Sequence, residues 1–194
     1  MKVLARRIGD LPPDLVNDRR LTRLATWGAR LSRLGIAPGA AGNLSARNER
    51  GFVITRTEVE LTSIEADDWV QVVDIDRRSD GTLEVSHLGD HTPSRDSFVH
   101  GTVYRRRPGA QCIFHLHDSA ILRQANRLGI PSTDRHVPAG TSESVEEIER
   151  LLDRLPAVGY FVLVQHGIVA LGTDPDSAGA LVEHWHRKAE GSHD

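Results

Sequence analysis

The residues with the clearest chemistry are the histidines of Cys112-Ile113-Phe114-His115-Leu116-His117. This stretch reads as a short apolar strand. Side chains alternate across a strand, so His115 and His117 share a face with Ile113, while Cys112, Phe114 and Leu116 point to the other. Neutral imidazole is a common zinc ligand, and two imidazoles at the end of a buried strand suit a metal ion. Two half-buried histidines would leave the same short pattern, so H-x-H alone does not decide. A third histidine changes the weighting. Tyr160-Phe161-Val162-Leu163-Val164-Gln165 is a second apolar run, and it delivers His166 followed by Gly167, a residue that lets the backbone turn tightly. Three protein ligands with one open position make the arrangement of a catalytic zinc site. His115, His117 and His166 are therefore expected to form one metal centre. Imidazoles do not choose among zinc, iron, cobalt and manganese, so another divalent ion remains compatible.

Composition narrows what such a centre would do. The chain has 194 residues, 39% hydrophobic and 26% charged, as in a globular protein, and no linker-like stretch divides it. One domain over residues 1–194 is expected. A net charge of −3 gives no electrostatic reason to expect nucleic acid or a membrane surface as partner. No apolar run reaches the length of a membrane span, and the first residues lack the apolar core of a signal peptide. The single cysteine, Cys112, excludes an internal disulfide and fits a reducing cytoplasm. Strand parity turns it away from the histidines, as a small buried hydrophobe. Lysine and arginine total 24, yet only Lys2 and Lys188 are lysines, both near the termini. Schiff-base catalysis needs a desolvated active-site lysine, so carbonyl chemistry here would rest on a metal instead.

The elements around the histidines follow from periodicity. Residues 13–34 read as an amphipathic helix, with Leu21, Leu24, Leu31 and Leu34 at helical intervals and Gly35 as a stop. Gly39-Ala40-Ala41-Gly42-Asn43-Leu44-Ser45 is a small-residue loop entering a strand, a tight turn or a place where backbone N–H groups meet an anion. Residues 44–47 and 52–55 look like a hairpin, 62–69 like a short helical turn, and 70–75 and 83–88 like strands joined by a turn at 77–81. A helix begins near Thr92-Pro93-Ser94-Arg95-Asp96, with Ser94 as N-cap and Asp96 in the first turn, and runs to about Arg107 before Pro108. That start also gathers a hydroxyl, a guanidinium and a carboxylate, a usual place to bind an anion. Asp118 or Ser119 caps a helix to about Leu128, with support of a ligand histidine as a second option for Asp118. Helices are expected at 145–155 and from Asp174 or Asp176 onward, and a short strand at 168–171. On the last helix His184 and His186 lie about 200° apart, too far to share a metal. Helices interspersed with strands and hairpins imply a mixed sheet covered by helices.

In this order the motifs resemble the class II aldolase/adducin family. The resemblance runs through Gly42-Asn43-Leu44-Ser45, Phe52-Val53-Ile54-Thr55 and Pro93-Ser94-Arg95-Asp96, then the helix with His100 and Tyr104, then His115-Leu116-His117 and His166-Gly167. It implies a three-layer α/β/α fold around a largely antiparallel mixed sheet, and a homotetramer with sites near subunit interfaces. It also implies a zinc ion on His115, His117 and His166, with no organic cofactor. Gly42, Asn43, Thr55, Ser94 and Arg95 fall where family members hold the substrate phosphate. Asp96 falls where the family usually has a catalytic glutamate.

Three positions depart from the family pattern. Aspartate replaces the glutamate, Arg95 stands for a serine of the phosphate pocket, and Thr55-Arg56-Thr57-Glu58 lacks a glycine. Arg95 would grip a phosphate bidentately or select a carboxylate. The leading expectation is a zinc-dependent lyase performing retro-aldol cleavage of a phosphorylated hydroxy-ketone through a metal-stabilised enediolate, with Asp96 moving the proton. The alternative keeps the metal and makes the protein a decarboxylase, dehydratase or epimerase of a sugar or sugar-acid phosphate. An adducin-like interaction module is a third reading, disfavoured by retention of all three histidines.

Overall fold

The computed structural model describes residues 3–79, 82–138 and 140–191. Lys2 and the Asp80-Gly81 part of the expected turn lie outside the described residues. In chain order the strands are β1 (Val3–Gly9), β2 (Gly42–Asn48), β3 (Gly51–Thr55), β4 (Trp69–Arg77), β5 (Leu83–Leu88), β6 (Cys112–Leu116), β7 (Tyr160–Leu163) and β8 (Gly167–Gly172). The helices are α1 (Arg19–Arg33), α2 (Ser97–Arg106), α3 (Ser119–Gln124), α4 (Ser142–Arg154) and α5 (Pro175–Glu190). The strands make one sheet in the order β1-β5-β4-β3-β2-β6-β8-β7. Among the described strand pairs, β1–β5 is the parallel one and the rest are antiparallel. The fold is the expected α/β architecture with a mixed, largely antiparallel sheet.

Period-2 alternation divides the core. Leu44, Ala46, Cys112, Phe114, Leu116, Ile168 and Ala170 pack with α1, α3 and α5 residues on one face. Ile54, Ile113, Phe161, Leu163 and Val169 pack with α2 and α4 residues on the other. Cys112 thus lies opposite the histidines as parity requires, and burial pushes its thiol up to about 12. Close packing of α1 on α5 rests on Gly179, where a Cβ would fall 2.2 Å from the Trp27 ring.

Several boundaries differ from the sequence expectation for local reasons. The first helix is split, because Asp18 is extended (φ −70°, ψ 109°) and its carboxylate caps α1 by accepting from the Arg20 N–H. A 3-10 turn over Pro13–Asn17 precedes it. Helix α2 starts at Ser97 with Asp96, not Ser94, at the cap position. The Ser94 carbonyl is already taken by the Ser97 N–H and hydroxyl, and its own hydroxyl accepts from the Asp96 N–H. Helix α3 stops at Gln124 rather than near Leu128, and successive turns end at Gly129 in a left-handed conformation (φ 66°). Helix α4 begins earlier than expected, since the Thr141 hydroxyl accepts from the Ser144 N–H. Strand β1 has no counterpart in the sequence reading.

Candidate active site and metal centre

The start of β2, the ends of β3 and β6, the start of β8 and the first turn of α2 meet at one end of the sheet. On β6, His115 sits between Asn43 of β2 and Val169 of β8. His117 follows one residue beyond the strand. His166 arrives from the β7–β8 turn, whose left-handed residue is Gln165 (φ 57°). The turn therefore does not depend on conformational freedom at Gly167. That glycine is needed for space: a Cβ there would lie 2.6 Å from the Leu116 carbonyl oxygen, 2.8 Å from His117 Cδ2 and 2.9 Å from His115 Cε1.

The three rings converge. One nitrogen from each of His115, His117 and His166 lies within 4.8 Å of the others, and the ring centroids are 4.7 to 5.1 Å apart. The His115 Nδ1 is 3.0 Å from the Ile168 carbonyl oxygen. A carbonyl only accepts, so Nδ1 carries the proton and Nε2 keeps its lone pair for a metal. The Nε2 atoms of His115 and His117 are 3.2 Å apart and share a target. Burial pushes His115 down to about 4, against the opposing pull of Asp96, and burial with the His166 charge lowers His117. Both are therefore neutral, the form that ligates. Donor type, convergence and the fixed tautomer fit a divalent ion on these three residues.

Asp96 stands beside them. Its carboxylate does not cap α2; Oδ2 accepts from the Asn43 amide at 2.9 Å and lies 3.6 Å from His115 Nε2. Burial raises its pKa, but the positive charge that His115 and His166 place beside it when protonated, together with the Asn43 hydrogen bond, outweighs this and holds it below the usual carboxylate range. Its Oδ1 is buried without a hydrogen-bond partner, which leaves an oxygen for a proton or ion.

The expected anion-binding residues gather around this centre with different duties. Gly42 (φ 120°) brings β2 against β6, where a Cβ would meet the His115 carbonyl oxygen at 2.7 Å. The Asn43 amide is committed to Asp96 rather than free for an anion. The Thr55 hydroxyl is buried and accepts from the Leu44 N–H at 3.3 Å. Ser94 is pinned next to Thr55 by its backbone N–H on the Thr55 carbonyl. Arg95 is exposed, and among the described residues nothing pairs with its guanidinium. The loop lacking a glycine keeps its turn: Glu58 takes the left-handed conformation itself (φ 60°), and Arg56 holds Asp68 at 2.6 Å.

Asp118 supports no ligand histidine. Its Oδ1 accepts from the Ala120 and Ile121 N–H groups at the start of α3, and its Oδ2 accepts from His186 Nδ1 at 2.8 Å. His186 is thus engaged by Asp118, and neither it nor His184 belongs to the converging triad.

Comparison with known proteins places this constellation. The family described as Class II Aldolase and Adducin N-terminal domain matches residues 22–192. The chain belongs to this family. It is 30% identical over 179 residues to a methylthioribulose-1-phosphate dehydratase of Acidiphilium cryptum (strain JF-5), covering 80% of this chain and 81% of that protein. It is 26% identical over 157 residues to a 3-oxo-tetronate 4-phosphate decarboxylase of Haemophilus influenzae, covering 72% and 70%. In fold it is similar to L-fuculose-1-phosphate aldolase from Thermus thermophilus, with a TM-score of 0.69, 20% identity and coverage of 89% and 91%. Sequence reasoning named the three histidines and Asp96 that the structure brings together, but not Asn43 as the partner of Asp96 or the spatial role of Gly167. Neither is visible without knowing which strands are neighbours.

Proposed function

We propose that this class II aldolase family member is a metal-dependent lyase that removes water from a phosphorylated keto sugar. This replaces retro-aldol cleavage as the first reading, because the curated relatives reported above are a dehydratase and a decarboxylase. The observation that carries it is the buried, ionised Asp96 carboxylate fixed 3.6 Å from a triad nitrogen. A divalent ion held by His115, His117 and His166, zinc in the leading case, supplies Lewis acidity toward the ketone oxygen when bound.

The protein's own groups account for the proton traffic. Asp96 takes the proton from the carbon next to the ketone, and the C–H electron pair enters the carbonyl system. The pair returns to expel the hydroxyl on the following carbon, and the proton on Asp96 leaves with it as water. Asn43 keeps Oδ2 aimed, so Oδ1 is the oxygen that moves the proton. Arg95 and Ser94, with Gly42 and Thr55 shaping the wall behind them, receive the phosphate. Arg95 equally suits a carboxylate, and this favours decarboxylation of a 3-oxo sugar-acid phosphate as the second reading. The homotetramer implied by the family resemblance belongs to this reading as its expected assembly; light scattering would then give about four times the 21.4 kDa chain mass.

The test is an NMR and mass-spectrometric assay of the zinc-reconstituted protein with ketose 1-phosphates and 3-oxo sugar-acid 4-phosphates. Loss of water supports the first reading, and loss of carbon dioxide supports the second. Two carbonyl fragments would restore the retro-aldol reading and remove both.

A further inference from the structure

Strand β2 and helix α2 are joined by three polar rungs, and these lie in step. Asn43, Ser45 and Arg47 are successive residues on the β2 face that looks toward α2, since Leu44 and Ala46 pack on the other side. Asp96, His100 and Tyr104 are successive four-residue steps along α2. The first rung is Asn43 Nδ2 on Asp96 Oδ2 at 2.9 Å. In the second, Ser45 Oγ lies 2.6 Å from His100 Nδ1 and 2.7 Å from the Tyr104 hydroxyl. In the third, Arg47 donates to the Tyr104 carbonyl at 2.5 Å, and its guanidinium sits 4.7 Å from the centre of the Tyr104 ring.

The match is geometric. Two residues of strand advance about 6.6 Å and four residues of helix about 6.0 Å, so the two repeats stay in register over three rungs. A shift of α2 by one residue along its axis, about 1.5 Å, would break every rung together. The second rung is fully enclosed: His100 and Ser45 are 0% exposed and Tyr104 is 4% exposed. Burial, helped by the His115 charge and opposed by Asp96, drives His100 down to about 3, so it is a neutral hydrogen-bonding group there. An apolar pair would fill such a place without needing registered partners, whereas buried polar groups must find theirs.

We propose that His100, with Ser45 and Tyr104, is a positioning residue that sets the axial register of α2 and thereby fixes where the Asp96 carboxylate stands relative to the histidine triad. The inference rests on the role given to Asp96 under the proposed function. Asp96 begins the helix and has no capping bond of its own, so the rungs behind it fix its placement along the axis. The shorter reach of aspartate makes that placement more exacting, because a displacement of about 1 Å costs on the order of a hundredfold in rate.

The test compares His100→Leu, His100→Asn and Tyr104→Phe with the unaltered protein and with Asp96→Asn. Zinc content, kcat, KM and the visible spectrum of the cobalt-substituted protein are measured for each. His100→Leu is expected to keep one metal per chain and a KM within about threefold while kcat falls about tenfold to a hundredfold. Its cobalt spectrum is expected to move in the sense produced by Asp96→Asn. His100→Asn, whose amide reaches the Nδ1 position, is expected to recover most of kcat. Tyr104→Phe, which removes one hydroxyl, gives a smaller loss of the same kind and carries the test if His100→Leu does not fold. An unchanged kcat in His100→Leu, parallel loss of metal and activity, or an asparagine variant no better than leucine would overturn the proposal. If the unaltered protein turns over no sugar phosphate, the functional reading has failed, and the cobalt spectrum still decides the ladder: superimposable spectra for His100→Leu and the unaltered protein sink it.

Discussion

Asp96 is where competing effects meet on one side chain. Desolvation works against the charge of a carboxylate this buried, yet the neighbouring imidazoles, wherever they take up protons, and an amide donor hold its pKa below the usual range. In the proposed reaction it is therefore a base already deprotonated when substrate arrives, a role separable from metal binding. Asp96→Asn retains the Asn43 neighbourhood and the triad, so it is expected to bind metal in full while turnover drops about a hundredfold or more, the usual worth of a general base. His117→Ala is the counterpart, expected to lose the metal and stay folded; plasma mass spectrometry on both variants separates the two roles. Gly167 makes a different demand. A methyl group there would press on the Leu116 carbonyl and both β6 histidines at 2.6 to 2.9 Å, and the backbone carbonyl cannot yield as a flexible side chain would. Gly167→Ala is thus expected to weaken zinc binding by at least about tenfold, the scale set by losing ligand orientation. Competition with a chromophoric chelator reads this directly, and an unchanged zinc affinity would remove the steric argument.

At the scale of elements, legibility tracks locality. Strand β5 and the H-x-H strand were legible because period-2 alternation is written in consecutive residues, and the convergence of the three histidines followed from where two apolar runs end. The start of α2 was misplaced because Ser94 has every local credential of a cap, while the contact that engages it, the Thr55 carbonyl, comes from another strand. Strand β1 escaped because its stretch is mostly exposed and becomes a strand only by lying parallel to β5. The β2–α2 rungs were hidden for the same reason: their two periods become meaningful only when the elements are neighbours. Asp118 was read correctly as a cap, and its second bond, to His186, extends that role. It ties the end of β6, the start of α3 and the middle of α5 through one side chain that is 1% exposed. Losing a cap costs about 1 kcal/mol, and here a largely buried histidine also loses its acceptor. Asp118→Ala is therefore expected to lower unfolding stability by about 2 kcal/mol or more in urea titration. Zinc content should hold, since no triad histidine leans on this carboxylate.

For the molecule as a whole, the site makes the sheet's end dependent on proton activity. His100 and His115 are held neutral by burial, at about 3 and about 4, whereas each would titrate near 6.5 in the unfolded chain. Above about pH 6.5 neither state binds these protons, and the two histidines leave stability independent of pH. As pH falls below that, the unfolded chain takes up protons that the folded chain refuses, so stability declines by about 1.4 kcal/mol per pH unit for each histidine. For His115 the decline ends near its folded value, and Asp96, with its depressed pKa, adds a further loss only below the usual carboxylate range. Metal-free protein is thus expected to lose melting temperature steadily between pH 6.5 and 4, before ordinary acid unfolding sets in. Bound zinc stabilises by mass action. Because burial already keeps His115 neutral in the folded chain, protons compete for that ligand only near its folded value of about 4. The zinc increment should therefore hold through most of this window and shrink at its acid end. Calorimetric scans with and without zinc, stepped from near neutrality to below the folded value of His115 at about 4, measure both curves. An increment that keeps its full size even below about pH 4 would show that the ion is not held by His115. The increment should vanish at every pH in His117→Ala, because the linkage runs through the triad.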